Sequence, residues 1–433
     1  MSRPQNRFPQ RPGPKPGSVF ASLDIGCSKI TCLIARRDVE DAEKFTLIGG
    51  GSQQSRGFDA GAITDMENLE RAIRLAVEDA ERQAGERIED VVLGVTGPKL
   101  QCRLVSAKIS TNGKPVSARD IKRIQAAALA RAEAKLDKHV VLCAHPVAYR
   151  IDEQDGVRDP TGMHGQTLGV LVSVVSAPET QILNLIECVG RAHLEVSRLV
   201  PSAIATGMGA LIADEIENGA ICFDFGAGVT SSSVFINGVP AWLGLVPAGG
   251  AHVTSDIAQG LGTTFAAAER LKTVHGMTDP SGLGHGDHID CPLLGDDGRL
   301  QAKRMQKSQL ANIIAPRIEE TLEIVQRMLV DCQLKKVLPR RGVLTGGASQ
   351  LPGLRETATD VLSMPVRLGR PVCADRLGET YATPAFSTAA GLLSYALADL
   401  PDATEAARRG LMGGGTGPAH VVNNVFSWMK ENF

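Results

Sequence analysis

Asp24 and Asp224 sit two hundred positions apart in the same short pattern, Ser22-Leu23-Asp24-Ile25-Gly26 and Cys222-Phe223-Asp224-Phe225-Gly226. In each copy the acid closes an apolar run and a small turn follows, Gly26-Cys27-Ser28 with Lys29 in one and Gly226-Ala227-Gly228 with Thr230 in the other. The chemistry that suits this pattern is the holding of a polyphosphate. Phosphate is dense negative charge that needs closely spaced backbone N–H donors, and glycine lets the backbone approach because it has no Cβ. A carboxylate beside such a turn can hold Mg²⁺, usually through water, since that ion sheds its shell reluctantly. One such turn reads as an ordinary hairpin. Two in register across the chain read as a site.

Two further segments have the same character. Ala248-Gly249-Gly250 precedes Thr254-Ser255-Asp256-Ile257 and then Ala268-Glu269-Arg270-Leu271-Lys272. Glu269 and Lys272, three apart, share a helix face and suit a ribose and a base, or else form a surface ion pair. Gly342-Val343-Leu344-Thr345 is a strand feeding Gly346-Gly347-Ala348-Ser349, a double-glycine turn open to close approach by a nucleoside. No side chain stands out as a water activator, so the catalytic residue is unknown.

The elements that must position these groups follow from periodicity. Val19–Asp24 and Ile30–Ala35 form a hairpin, with a third strand at Thr46–Gly50, and Ala220–Asp224 and Thr230–Ile236 repeat it. Asn68–Ala84, Glu179–His193, Ser202–Asp214 and Ile313–Leu329 have helical spacing. Ser117 caps a helix over Ala118–Lys135, and Leu168–Val175 is a continuous apolar strand of the kind covered on both faces. An echo at this distance indicates two similarly folded α/β halves.

Composition excludes several classes. The 433 residues carry 46 basic and 48 acidic side chains, a net charge of −2, which gives no global pull toward nucleic acid. Phe 11, Tyr 3 and Trp 2 are too few for base-stacking platforms. Nine scattered cysteines without a CxxC pair fit reduced thiols in a cytosol. No apolar run is long enough to span a bilayer. The Pro/Arg-rich stretch 1–18 has little to bury and is expected to be disordered. A Gly-rich linker over 399–418 precedes a last segment, 419–433, with apolar residues at Val422, Val425, Phe426, Met429 and Phe433 and Trp428 at the edge of that stripe. It is too short to span and reads as an interfacial anchor, or else as an ordinary helix docking on the body.

The four glycine-bearing segments, in this order, resemble the phosphate, phosphate, adenosine-wrapping and adenosine motifs of the actin, Hsp70 and sugar kinase superfamily. Leu23–Ile30, Val253–Ala258, Val343–Leu351, Ser387–Leu393 and the terminal segment narrow the resemblance to the FtsA family of bacterial cell-division proteins. It implies an actin-like, duplicated two-lobe ATPase fold with an inserted small strand–helix–strand subdomain and a C-terminal amphipathic helix. Lobe 1 would hold 19–87 and 168–201 with helix 385–398, and the insertion would occupy 88–167. Lobe 2 would hold 202–245 and 319–384, with a small subdomain at 246–318. ATP and Mg²⁺ are the implied cofactors. Asp24 and Asp224 would lie near the metal. Gly26, Cys27, Ser28, Lys29, Gly226, Gly228 and Thr230 would lie near the phosphates, and Gly249 and Gly250 would bind the nucleotide too. Glu269 and Lys272 would reach ribose and adenine, and Gly346, Gly347 and Ser349 the nucleoside.

The resemblance also implies partners and place: copies of itself in filaments, inner-membrane lipid through the terminal helix, other division proteins, and the C-terminal tail of FtsZ, at the cytoplasmic face of the inner membrane at the division site. Lys303, Arg304, Lys307 and Arg317 form a basic cluster suited to an acidic-hydrophobic peptide, or a solvated charged face. Val229 and Ala348 depart from the family's usual Thr and Gly, and the missing hydroxyl weakens the case for efficient hydrolysis. The alternatives are a small-molecule kinase of the superfamily, for which no substrate base is marked, and a pilus-assembly type adaptor. A His285/His288 metal site lacks further ligands at a suitable spacing.

Overall fold

The computed structural model describes residues 11–404 apart from 42–43, 282, 285, 295–299, 336 and 399. The terminal segment 419–433, with Val422, Val425, Phe426, Trp428, Met429 and Phe433, lies outside the described residues, as does His285.

Two five-stranded sheets repeat one topology. In the first, β1 (Val19–Ile25), β2 (Lys29–Arg37) and β3 (Phe45–Gln54) run antiparallel, and β1 continues in parallel to β6 (Asp90–Val95) and β11 (Glu195–Pro201). In the second, β12 (Ala220–Phe225), β13 (Thr230–Ile236) and β14 (Val239–Val246) are the antiparallel three, and β12 continues in parallel to β17 (Gly342–Thr345) and β18 (Val366–Leu368). The duplication read from two pentapeptides therefore extends to whole sheets. Both cores are continuous apolar clusters, Leu23, Ile34, Leu69 and Leu93 in one and Phe223, Phe225, Ile257 and Leu322 in the other. The short hairpin β4 (Phe58–Asp59) and β5 (Ala62–Ile63) follows β3.

Helix α1 (Met66–Ala84) starts at Asp65, whose carboxylate accepts from the Asn68 N–H at 3.0 Å, and stops at Gly85 in the left-handed region. It lies directly on the glycines of β3: a Cβ at Gly51 would stand 1.9 Å from the Ala76 carbonyl oxygen.

The inserted unit is an antiparallel four-stranded sheet, ordered β7 (Gln101–Ser110), β10 (Thr167–Pro178), β8 (His139–Ile151) and β9 (Gln154–Val157), with α2 (Ala118–Glu133) packed on it. Ser117 and Asp120 form the capping box expected of that helix start. The expected boundaries are corrected at both ends. The Leu168–Val175 strand, assigned to lobe 1, is the core of β10 and pairs with β7 and β8 inside the insertion; its near-continuous burial comes from a central position in that sheet. Conversely β6, assigned to the insertion, sits between β1 and β11 in lobe 1.

After α3 (Glu179–Arg191), α4 (Ser202–Ala210) and α5 (Ala213–Asn218) replace the single expected helix, broken at Leu211–Ile212. Lobe 2 continues with α6 (Gly250–Leu261), α7 (Phe265–His275), the hairpin β15 (His288–Leu294) and β16 (Leu300–Gln306), α8 (Lys307–Asp331), α9 (Leu354–Leu362) and α10 (Ala374–Tyr381). Helix α11 (Ser387–Leu397) returns to lobe 1 and crosses α4 at backbone contact: a Cβ at Gly391 would lie 1.7 Å from the Ala205 carbonyl oxygen.

Both chain ends of the described region are tied down, which corrects two expectations. Residues 11–18 are not loose. The Arg11 N–H donates to the Ser197 carbonyl at 2.9 Å, and the Arg11 guanidinium pairs with Asp90 at 2.7 Å and with Glu195. Arg198 reaches back to the Arg11 carbonyl, and Arg37 to that of Pro14. Arginine, not apolar burial, orders the segment, so a hydropathy argument misses it. At the other end, Pro401–Ala403, assigned to the linker, forms a clasp on the insertion. Asp402 accepts from the Ala144 N–H at 3.2 Å, the Pro401 carbonyl accepts from His145 Nδ1 at 3.0 Å, and Ala403 is fully buried in the insertion's core.

Candidate nucleotide site

The two acid–glycine turns, one from each five-stranded sheet, come together. Each is closed by the same hydrogen bond, Gly26 N–H to the Lys29 carbonyl at 3.0 Å and Gly226 N–H to the Val229 carbonyl at 3.1 Å. The turns nearly touch: a Cβ at Gly228 would come within 2.7 Å of Cys27 Sγ. Backbone amides of Gly61, Ala60 and Gly228 point at that sulfur, while burial pushes its thiol up. Ser28 is exposed at the rim.

Asp24 and Asp224 end their strands on the cleft floor, both part-buried. Loss of water and the neighbouring Asp224 carboxylate push Asp24 up to about 7. Burial pushes Asp224 up to about 6, against a hydrogen bond from Thr206 and the charge of Lys29. Burial brings Lys29 down to about 8, opposed by both acids. A site whose carboxylates hold protons this strongly favours added positive charge.

The third and fourth segments back the second turn. Gly250 N–H and Ala251 N–H, at the start of α6, donate to the Gly226 and Ala227 carbonyls, each at 2.9 Å. Gly249 must lack a side chain, because its Cβ would stand 2.5 Å from the Gly226 oxygen. Gly346, at φ +90°, lies against Asp224: a Cβ there would be 2.3 Å from Oδ1. Gly347 is exposed next to it, and buried Ser349 donates to the Gly346 carbonyl at 2.7 Å, fixing the turn.

Three candidates have supporting positions. Thr230 is fully buried, and its hydroxyl donates to the Ala248 carbonyl at 2.7 Å, so it braces the third segment. Lys272 spends its three N–H donors on Gly250 O at 2.9 Å, Thr254 Oγ1 at 2.8 Å and Glu269 Oε2 at 2.7 Å. What it can offer a base is its aliphatic stem, with Glu269 the more exposed partner.

Sequence reading missed Thr206 and Thr388. Thr206 Oγ1 is 3.2 Å from Asp224 Oδ2 and 2.8 Å from Thr388 Oγ1, which links the acid to α11. Both lie in small-residue helices whose pattern gives no sign of which face meets the cleft.

The basic cluster does not form one surface. Lys303 and Arg304 are neighbours on β16 and so project to opposite faces of the hairpin. Lys307 and Arg317 are about 15 Å apart along α8. Arg317 is already paired, with Asp256 through two nitrogens at 2.6 and 3.1 Å and with Glu320 at 2.5 Å. Among the described residues no group of three or more His, Cys, Asp and Glu forms a metal cage, and no helix is long and apolar enough to cross a membrane.

Paired sheets of this topology around a cleft lined by glycine turns define the actin-like class. A chain of the PilM–PilN type IV pilus biogenesis complex superposes with a TM-score of 0.64 at 18% identity, covering 89% of this chain and all of that one. MreB5 of Spiroplasma citri bound to ADP gives 0.50 at 12%, covering 92% and 99%. Within that class the insertion and the sequence are specific. Residues 97–176 match the SHS2 domain inserted in FtsA, and 221–391 match cell division protein FtsA. Proteins of that description from Agrobacterium fabrum, Pseudomonas aeruginosa and Escherichia coli K12 are 38%, 31% and 30% identical, over 97%, 96% and 96% of this chain and 96%, 99% and 98% of theirs. The chain belongs to the FtsA family of cell-division proteins.

Proposed function

We propose that this actin-like division protein binds ATP with Mg²⁺ in the cleft, assembles into filaments, ties FtsZ filaments to the inner membrane and recruits later division proteins there. The observation that carries the nucleotide reading is the meeting of two acid–glycine turns from the two halves, with Gly346 against Asp224 and Gly228 against Cys27. These approaches keep both turns free of side chains, which is what backbone N–H donation to a polyphosphate needs. Asp24 and Asp224 would hold the Mg²⁺ through its water, and Lys29 with the turn amides would face the phosphates. The bound cation would supply charge compensation for the phosphates. Gly347 and Glu269 would border the nucleoside. The reading assigns no catalytic residue.

The membrane half rests on the sequence of 419–433, where binding would come mainly from apolar burial. One weak anchor per chain gains avidity when copies are linked, so polymerisation and membrane binding reinforce each other. Vesicle co-sedimentation tests this directly. The full chain should pellet with lipid, more so with ATP, and a chain ending at Gly417 should stay in solution; equal pelleting of both would remove the lipid role.

For the FtsZ tail, Lys303 is the informative position on the 246–318 unit. K303E should weaken tail binding several-fold in a titration, and unchanged affinity would exclude it. R317E is a different experiment. It would set a third carboxylate beside Asp256 and Glu320, so its loss of binding counts only if the melting temperature is kept.

A further inference from the structure

We infer that the turn Pro384–Phe386 is a wall of the nucleotide site and that Phe386 is the residue that positions Lys29. This rests on the nucleotide reading above and adds a residue outside its four segments.

Lys29 Nζ lies 3.1 Å from the centroid of the Phe386 ring. A desolvated ammonium is drawn to the negative face of an aromatic ring. The ring is itself held in place. Tyr381 meets it edge-on, with centroids 5.1 Å apart and planes at 79°. Tyr381 in turn lies against β3, where a Cβ on Gly50 would come within 2.5 Å of its ring. The same turn reaches lobe 2 through its backbone: the Pro384 carbonyl accepts from Gly346 N–H at 3.2 Å and from Thr345 Oγ1 at 3.4 Å. Next along the chain, Ser387 Oγ is 2.7 Å from Thr345 Oγ1. One short segment therefore grips the loop beside Asp224 and holds the lysine of the opposite lobe.

The ring solves a particular problem. Lys29 is a long flexible side chain within electrostatic reach of Asp24 and Asp224, yet among the described residues it makes no ion pair with either. Left free, it would fold onto them, neutralising at once the acids that would take a cation and the ammonium that would take an anion. Docked on Phe386, it leaves the acids open to Mg²⁺ and keeps its own charge for a phosphate.

The test is Mg-ATP binding by titration calorimetry on the full chain for wild type, F386L, F386Y, K29A and K29A/F386L. F386L keeps the apolar volume and removes the ring face. It should weaken binding roughly three- to tenfold, while F386Y, which keeps the ring, should stay within about twofold. In the K29A background F386L should add nothing, because the ring acts through the lysine. A filler role predicts equal losses with and without Lys29; that result, or an F386L that binds like wild type, overturns the inference. If wild type binds no Mg-ATP, the nucleotide reading falls and this inference with it. A binding wild type with an indifferent F386L takes down the inference alone.

Discussion

D224N is expected to lose Mg-ATP affinity by about 10- to 100-fold while making the ligand-free protein more stable above pH 6. The two effects have one cause. Asp224 keeps its proton up to about 6 because burial disfavours its charge, so above that pH the folded protein carries a carboxylate it holds at a cost. Between the ordinary 3.8 and about 6, the unfolded chain has released this proton and the folded one has not, so the site's contribution to stability falls as pH rises through that window. Asparagine removes the charge and can still accept from Thr206. The gain should be on the order of 2 kcal/mol at pH 8 and vanish near pH 4. Thermal melting at the two pH values reads the first half, and calorimetry with Mg-ATP the second. A D224N that melts lower at pH 8, or binds as wild type does, would contradict the electrostatic account. The same logic makes wild-type Mg-ATP affinity decline below about pH 7, as Asp24 takes up its proton.

G391A should be the most damaging glycine-to-alanine change among the described residues. The new Cβ would stand 1.7 Å from the Ala205 carbonyl oxygen, 2.6 Å from its carbon and 2.8 Å from the Gly209 nitrogen, all backbone atoms. Nothing there can rotate aside, so α4 and α11 must separate. Their crossing carries Ser387 and Thr388, which bond to Thr345 and Thr206, and Ser22 of β1 bonds to the Ala389 carbonyl at 2.9 Å. We expect a loss of about 3 kcal/mol or more, read as a lower urea midpoint and poor soluble yield. An unchanged midpoint would mean that the helices do not touch. By contrast L392A in the same helix, which deletes a buried side chain without a backbone clash, gives the scale of an ordinary core cavity.

What the sequence made legible was whatever repeats or is enforced by backbone sterics. Asp24 and Asp224 stand out because two turns share one pattern, and the paired sheets follow from the same duplication. The glycines at 226, 249 and 346 were found because close backbone approach excludes a side chain. Side-chain direction was less accessible. Thr230 alternates into the core, Lys272 turns back on α6, and Lys303 and Arg304 diverge. Domain limits failed at β6 and β10, because an apolar strand carries no label for the sheet it joins; pairing is decided by distant partners. Phe386 was invisible for the same reason. A lone aromatic after Pro384-Ala385 gains meaning only when β2 brings Lys29 over it.

The clasp of Pro401–Ala403 on the insertion has a mechanical consequence. A chain that left directly from α11 would transmit any pull on its far end as an unwinding force at Leu397, next to the helix crossing. Here the pull first meets the bonds to Ala144 and His145, on β8, where that strand pairs with β10. Load entering at residue 404 is thus taken by the inserted sheet, and the two five-stranded sheets are shielded until the clasp gives way. The insertion is then the strain-relief element of the molecule, and the force that opens the clasp is the force at which the crossing helices first feel the tether.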